Sequence, residues 1–247
     1  MRIKLLRVAL VRTFAILLMA TPAAIAETID RSEVEKIVRE YILENPEIIK
    51  EALLELENRS QKAQEEARAE TIRAEQDVLL RSAADLVLGN PDGDVTLVEF
   101  FDFNCGYCKR AFPDIKALLA EDAQLRVVLK DFPILGPGSI EAAKVALAVK
   151  RLGDDASARD FHARLMAMQG QANAGRALSL VEEMGLDRAR VEAEMGSPEI
   201  ETVIASNLAL AQLLGLTGTP SFVVGERSVV GAGGKEPLAE AVRSVRE

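Results

Sequence analysis

The sequence predicts an α/β domain that carries a large inserted helical block and is preceded by a helical N-terminal stalk. Three observations lead there. Short β-branched and aromatic runs fall in the order strand, helix, strand, then a long helical block, then strand, strand, helix. A highly charged stretch with apolar stripes of helical period comes before them. The chain's two cysteines, Cys105 and Cys108, stand where the first central strand gives way to a helix.

The first residues read as an export signal rather than as fold. Arg2, Lys4, Arg7 and Arg12 form a positive start without acids, residues 13–20 are apolar, and Ala24-Ile25-Ala26 is a small-x-small site, so cleavage is expected after Ala26. The alternative, an uncleaved membrane anchor, needs about 20 apolar residues to span a bilayer, and the uninterrupted run is shorter. Removing residues 1–26 takes four positive charges and no acids from a chain of net charge −9, which leaves about −13. That balance argues against nucleic acid and anionic lipid surfaces as partners. Aromatics make up 4% and Trp is absent, so no dense stacking surface for bases or sugars is expected. With 247 residues, 49% of them hydrophobic, the chain can bury one substantial core and an appendage.

Residues 27–88 read as the stalk and its linker. Val34, Ile37, Val38 and Tyr41 form one stripe, and Ile48, Ile49, Ala52, Leu53 and Leu56 a second. Between them Asn45-Pro46-Glu47 reads as a restart, with Asn45 as N-cap and Pro46 in the first helical position. From residue 57 to 70 the stripe fades into a polar helix with nothing to bury. So short a pair of helices cannot bury both stripes alone. It must fold back on its own domain or pack against copies of itself, and the long polar spacer favours self-association, a homo-oligomer through residues 27–56.

The compact domain is expected from residue 89 to the end. Thr96-Leu97-Val98-Glu99-Phe100-Phe101 reads as a central strand, a helix follows Cys105 as far as about Leu119, and Leu125-Arg126-Val127-Val128-Leu129-Lys130 is the next strand. Residues 139–215 are Ala-rich, β-poor and broken by glycines, far longer than an ordinary crossover, hence an inserted helical subdomain. Two short strands, 221–224 and 228–230, and a helix over 235–246 close the chain.

The cysteine pair carries the chemistry. A bridge between residues three apart closes almost no loop, so a purely structural disulfide is a poor explanation. Exchange needs a thiolate, and a cysteine at a helix start, with Lys109 and Arg110 nearby, is placed to become one. Cys108, one turn on, is expected to be the more buried, resolving thiol. The rival is a metal. Zinc normally takes four ligands and there is no second C-x-x-C; copper(I) on Cys105 and Cys108 is chemically reasonable. The single histidine, His162, reads as a packing residue, and Met166, Met168, Met184 and Met195 read as core. No cofactor is implied.

The stretch Val98-Glu99-Phe100-Phe101-Asp102-Phe103-Asn104-Cys105-Gly106-Tyr107-Cys108-Lys109 resembles the active-site region of the DsbA-like branch of the thioredoxin superfamily. Pro113 matches that family's helix-kinking proline, Thr219-Pro220 its cis-proline loop, and residues 139–215 its helical insertion. The resemblance covers about residues 89–247 and implies a thioredoxin fold. It further implies that Cys105 attacks, that Cys108 resolves, and that Thr219 and Pro220, with Gly106 and Tyr107, meet the substrate. Glu99 matches a buried acid that relays protons to the resolving thiol; the alternative is a strand-edge carboxylate facing solvent. Strong oxidases of the family carry Pro-His between the cysteines, whereas Gly106-Tyr107 with Thr219 is similar to the disulfide isomerases. Tyr41-Ile42-Leu43-Glu44-Asn45-Pro46-Glu47-Ile48-Ile49 resembles the N-terminal region of the suppressor-of-copper-sensitivity C proteins, which are trimeric through such a stalk. The resemblance therefore implies a stalked periplasmic disulfide isomerase or reductase, a trimer ahead of a dimer, acting on exported proteins with cysteines and kept reduced by a membrane redox partner. A dithiol oxidase and a copper-binding or holdase protein remain the alternatives.

Overall fold

The computed structural model describes residues 30–247. The expected signal sequence and its cleavage site lie outside the described residues. The chain divides into an N-terminal unit ending at Leu56 and a larger unit, Glu57–Glu247.

The N-terminal unit contains α1 (Arg31–Glu44) and the first turns of α2 (Glu47–Ala74). Asp30 caps α1, accepting from the Ser32 amide at 3.3 Å and the Ser32 hydroxyl at 2.6 Å. Asn45 behaves differently from its expected role as cap of the second helix. Its backbone N–H and its side-chain amide both donate to the Tyr41 carbonyl at 2.9 Å, so the side chain closes α1. Only its carbonyl serves α2, accepting from the Ile48 amide at 3.2 Å. The apolar stripes are exposed: Val34, Ile37, Val38 and Tyr41 on α1, and Ile49, Leu53 and Leu56 on α2.

The larger unit is built on a five-stranded mixed sheet in the order β1-β3-β2-β4-β5. The strands are β1 (Leu86–Gly89), β2 (Val95–Phe101), β3 (Leu125–Asp131), β4 (Ser221–Val224) and β5 (Arg227–Val230). Central β2 runs parallel to β3 and antiparallel to β4, which places Glu99 between Leu129 and Phe222. Helix α4 (Gly106–Glu121), with Pro113 inside it, makes the crossover from β2 to β3. The inserted block resolves into α5 (Pro137–Leu152), α6 (Asp155–Ala167), α7 (Ala174–Glu183), α8 (Arg188–Glu194) and α9 (Pro198–Leu213), and α10 (Lys235–Arg246) ends the chain. This is a thioredoxin-like fold with the helical insertion of the DsbA type, as expected.

The segment before residue 89 differs from the expected helical linker. Residues 86–89 form an edge strand paired antiparallel with β3, Leu86 opposite Leu129. A run of three apolar residues is too short to declare a period, and its partner lies some 40 residues on, so only tertiary pairing decides it. The end of α2 and helix α3 (Gln76–Arg81) also belong to the core. Alternate residues of β2 point to opposite faces. Leu97 and Phe101 meet a core shared with Ile115 of α4 and Leu238 of α10. Val98 and Phe100 meet Ile72 of α2, Leu79 of α3, and Leu210 and Leu214 at the end of α9. The turn before β1 is held by a buried ion pair, Lys130 Nζ to Asp85 Oδ2 at 2.7 Å. Burial pushes the Asp85 carboxyl up to about 6, with Lys130 opposing.

The last turns of α2 are therefore structural in the larger unit. Ile72→Ala should lower unfolding free energy by about 2–4 kcal/mol, the usual cost of truncating a buried aliphatic residue. Glu65→Ala, exposed on the same helix, should change it by less than about 0.5 kcal/mol. Urea unfolding of the two variants checks both.

Candidate active site

The site starts from the turn that follows β2. The buried Asp102 carboxylate accepts from the Asn104 amide at 2.8 Å through one oxygen, and from the Ile134 and Leu135 amides at 2.9 and 3.0 Å through the other. Asn104 ties the same turn to the inserted block. Its amide donates to the Ser139 hydroxyl at 3.1 Å and to the Ala172 carbonyl at 2.9 Å, and its oxygen accepts from the Ala172 N–H at 2.6 Å. Neither residue stood out in the sequence as a positioning group. A short polar side chain just before a helix is a common turn residue, and nothing local reveals partners 30 to 70 residues away.

So fixed, Cys105 is the N-cap of α4. Its backbone is extended and its sulfur accepts from the Cys108 N–H at 3.4 Å. Both cysteines are reduced. Cys105 retains 5% of its surface, and Cys108, one turn into the helix, retains none. The Thr219–Pro220 bond is cis, and the Thr219 carbonyl lies 3.1 Å from the Cys105 sulfur, accepting from the thiol. Between the cysteines the surface is open. A side chain on Gly106 would meet nothing within 4 Å, and Tyr107 is 60% exposed, with the Arg110 guanidinium 4.2 Å from its ring centre.

This geometry separates the two thiols electrically. The Cys105 thiol is pulled down to about 5, first by its hydrogen bond with the Cys108 thiol, then against burial by the Thr219 side chain and the Cys108 and Tyr107 amides. Cys108 is pushed far up by the same hydrogen bond, by burial and by the nearby Glu99. The expected charge contribution of Lys109 takes another form. Its amine donates to the Met168 carbonyl at 2.6 Å and the Gly170 carbonyl at 3.4 Å, in the loop between α6 and α7. Arg110 is stacked on Tyr107. Local dipoles rather than these cations hold the Cys105 charge.

Glu99 is fully buried, and among the described residues neither of its oxygens has a hydrogen-bond partner. The solvent-facing alternative is thereby excluded. Burial, with the neighbouring Cys105, pushes its carboxyl up to about 8. His162 packs against the Phe101, Phe103 and Phe112 rings at 4.9, 5.3 and 5.1 Å, and burial pulls it down to about 3, so it is neutral. Met166 is buried and Met168, Met184 and Met195 pack on the same core. Among the described residues no group of three or more His, Cys, Asp or Glu could hold a metal ion.

Comparison with known proteins follows this geometry. The DSBA-like thioredoxin domain family matches residues 96–243. The chain belongs to the DsbA-like thioredoxin family. The Copper resistance protein ScsC N-terminal domain matches residues 30–63 of this DsbA-like chain. Among solved structures, a thioredoxin-like oxidoreductase from Silicibacter pomeroyi DSS-3 is 44% identical, covering 69% of this chain and 96% of its own, at a TM-score of 0.66. A linker-deletion mutant of Proteus mirabilis ScsC is 25% identical, covering 90% of this chain and 97% of its own, at a TM-score of 0.68. A curated relative, the Na(+)/H(+) antiporter NhaA 1 of Salinispora arenicola (strain CNS-205), is 32% identical over 162 residues. The match takes in 65% of this DsbA-like chain, which spans about a quarter of that relative's length. Among the described residues no helix is long and apolar enough to cross a membrane.

The shifted groups make stability depend on pH in opposite senses. Because the Cys105 value is depressed from 9.0 to about 5, its contribution is present above the unfolded value and is lost as pH falls through about 5. Reduced wild-type protein should therefore gain stability over Cys105→Ser between pH 5 and 9. Glu99 is raised from 4.5 to about 8, so its neutral form favours folding below the unfolded value and stability is lost as pH rises through about 8. Glu99→Gln in a Cys105→Ser/Cys108→Ser background should flatten that fall. Urea midpoints across this range test both, and parallel curves would contradict the assignments.

Proposed function

We propose that this protein is a periplasmic thiol–disulfide oxidoreductase whose Cys105–Cys108 pair corrects or reduces disulfides in exported proteins. The observation that carries the reading is the division of labour within one helical turn. Cys105 is held ionised beside Thr219–Pro220 at an open surface, while Cys108 beneath it is neutral and enclosed. The Cys105 thiolate attacks a substrate disulfide, forming a new S–S bond to one substrate sulfur and releasing the other as a thiolate. In isomerisation that released thiolate attacks a further disulfide, and Cys105 is eventually displaced unchanged. In reduction Cys108 loses its proton and attacks the mixed disulfide, leaving Cys105–Cys108 oxidised and the substrate reduced. Glu99, a buried acid whose charge bears on Cys108, takes the Cys108 proton; a value near 8 makes both of its forms accessible at neutral pH. Thr219, Pro220, Gly106 and Tyr107 frame the entry of the substrate, and a membrane redox partner returns the pair to the dithiol state.

The N-terminal helices supply the second part of the reading. Their exposed apolar stripes and the match to the ScsC N-terminal domain support self-association through residues 27–56, with a trimer favoured, after removal of residues 1–26 on export. The segment from residue 57 onward is assigned to the catalytic unit, because Ile72, Leu79 and strand β1 are parts of its core. One observation favours a dithiol oxidase instead. A thiol as acidic as Cys105 stabilises the reduced pair and so makes its disulfide more oxidising.

Scrambled ribonuclease distinguishes these readings when given to the full chain and to a form lacking residues 27–56. The full chain should recover ribonuclease activity and scatter light as an oligomer. The shortened form should remain a folded, redox-active monomer that has lost shuffling. Efficient oxidation of reduced ribonuclease without shuffling by the full chain would transfer the assignment to an oxidase. Cys105→Ser should abolish exchange by at least about a hundredfold; full retention of biological activity in that variant would favour a copper-binding or holdase protein.

A further inference from the structure

Arg68, near the end of α2, is bonded to two points that bracket the Thr219–Pro220 loop. Its Nε donates to the Leu214 carbonyl at 2.9 Å, and its Nη1 donates to the Ser228 hydroxyl at 2.7 Å. Both contacts are partly buried. Leu214 is the C-cap of α9, where the last carbonyls have no partner inside the helix. Gly215 turns the chain there with φ +66°, and the Gly215 and Leu216 amides return to the Gln212 and Ala211 carbonyls at 3.0 and 2.8 Å. That closure leaves the Leu214 carbonyl for Arg68, and a cation at a helix C-terminus also complements the dipole. From Leu216 the chain reaches Thr219 within three residues. Beyond Pro220 it enters β4, whose Val223 pairs with Ser228 of β5. One guanidinium thus holds the entry to the loop and the strand that flanks its exit. Below it Ile72 packs into the core shared with Leu210, Ala211, Leu214 and Leu216.

We propose that Arg68 is a positioning residue for thiol–disulfide exchange, fixing the Thr219–Pro220 loop against Cys105. The proposal rests on the reading that Cys105 and this loop form the exchange site. The loop needs such an anchor because Gly215 and Gly218 leave its backbone free, while its end must stay within contact of the Cys105 sulfur. The fork of an arginine suits the task, since two divergent donors are held in one plane and a lysine offers a single flexible point. Thr219 carries the effect to the chemistry in two ways. Its carbonyl meets the Cys105 thiol at 3.1 Å, and its hydroxyl oxygen is buried with no hydrogen-bond partner among the described residues. The Thr219 side chain is one of the groups that lower the Cys105 value. A loop displaced by even a fraction of an ångström therefore changes both substrate docking and thiol ionisation.

The test uses the full chain and three variants, Arg68→Ala, Arg68→Lys and Ser228→Ala. The substrate is a cystine-containing peptide turned over with glutathione, and thiolate absorbance is followed against pH. Arg68→Ala should raise KM about three- to tenfold with kcat changed less than about twofold. It should also shift the Cys105 titration by about half a unit or more. Arg68→Lys should recover part of both effects, and Ser228→Ala, which removes one of the two contacts, should show smaller changes in the same direction. A lowered Tm in Arg68→Ala with an unchanged KM and an unchanged Cys105 titration would reduce Arg68 to a structural role and overturn the proposal. Should Arg68→Ala fail to fold, Ser228→Ala decides, and wild-type values in both readouts overturn it. The Cys105 titration needs no substrate. Failure of exchange in the wild-type chain would therefore count against the proposed function, whereas an unmoved titration counts against Arg68.

Discussion

Cys105 occupies the N-cap of α4, where its sulfur accepts the Cys108 N–H as a serine or aspartate oxygen would in another helix. The rest of the site follows from that placement. Because the helix starts at Gly106, Cys108 falls one turn in and is carried under the surface, where its thiol can meet Cys105 and where Glu99 lies beneath it. Because the backbone at Cys105 is extended rather than helical, the sulfur is turned toward the Thr219 carbonyl. A shift of the helix start by one residue would expose the second thiol and remove the dipoles from the first. Asp102 and Asn104 prevent that shift by holding the preceding turn to residues 134, 135, 139 and 172.

Around this pair the protein buries charge that would be more stable in water. Glu99 and Asp131 are both enclosed and pushed up to about 8, Asp131 by burial first and by Asp85 and Asp102 second. His162 is enclosed and neutral. Each is costly in an apolar setting unless it is neutralised or paired. Lys130 and Asp85 form the paired case, holding the start of β1 to β3 beside it. Glu99 is different, since among the described residues it has no hydrogen-bond partner and stands beneath the thiols. A carboxyl kept there, with a value close to neutral pH, is the group to which the proposed proton transfer is assigned.

Helix α2 changes character along its length. Its first turns present Ile49, Leu53 and Leu56 to solvent, and its middle is polar and exposed. Its last turns place Ile72 in a core and Arg68 on the carbonyl that ends α9. A single helix thus carries an exposed apolar stripe at one end and an integral piece of the thioredoxin-like unit at the other. Residues 57–88, read from composition as the end of the stalk and its linker, thus include parts of the larger unit's core.

The sequence by itself determined the central strands, the length of the inserted block, the closing strand-strand-helix and the identity of the thiol pair. Each is written in a local pattern: a β-rich run, a glycine-broken alanine-rich stretch, or two cysteines at one turn's spacing. The resemblance around Cys105 added Glu99, six residues before it, and Thr219–Pro220, far from it along the chain. What only the tertiary structure decided are the facts that depend on distant partners. Residues 86–89 became a strand because β3 offered an unpaired edge. Lys109, which sequence placed beside the thiolate, instead bonds the Met168 and Gly170 carbonyls. Asn104 and Arg68 likewise have no local signature, since a hydrogen bond spanning up to 160 residues leaves no trace in the spacing of either partner. Local patterns choose helices, strands and the position of a nucleophile. Which dipoles and acids face that nucleophile is decided only when the chain folds back on itself.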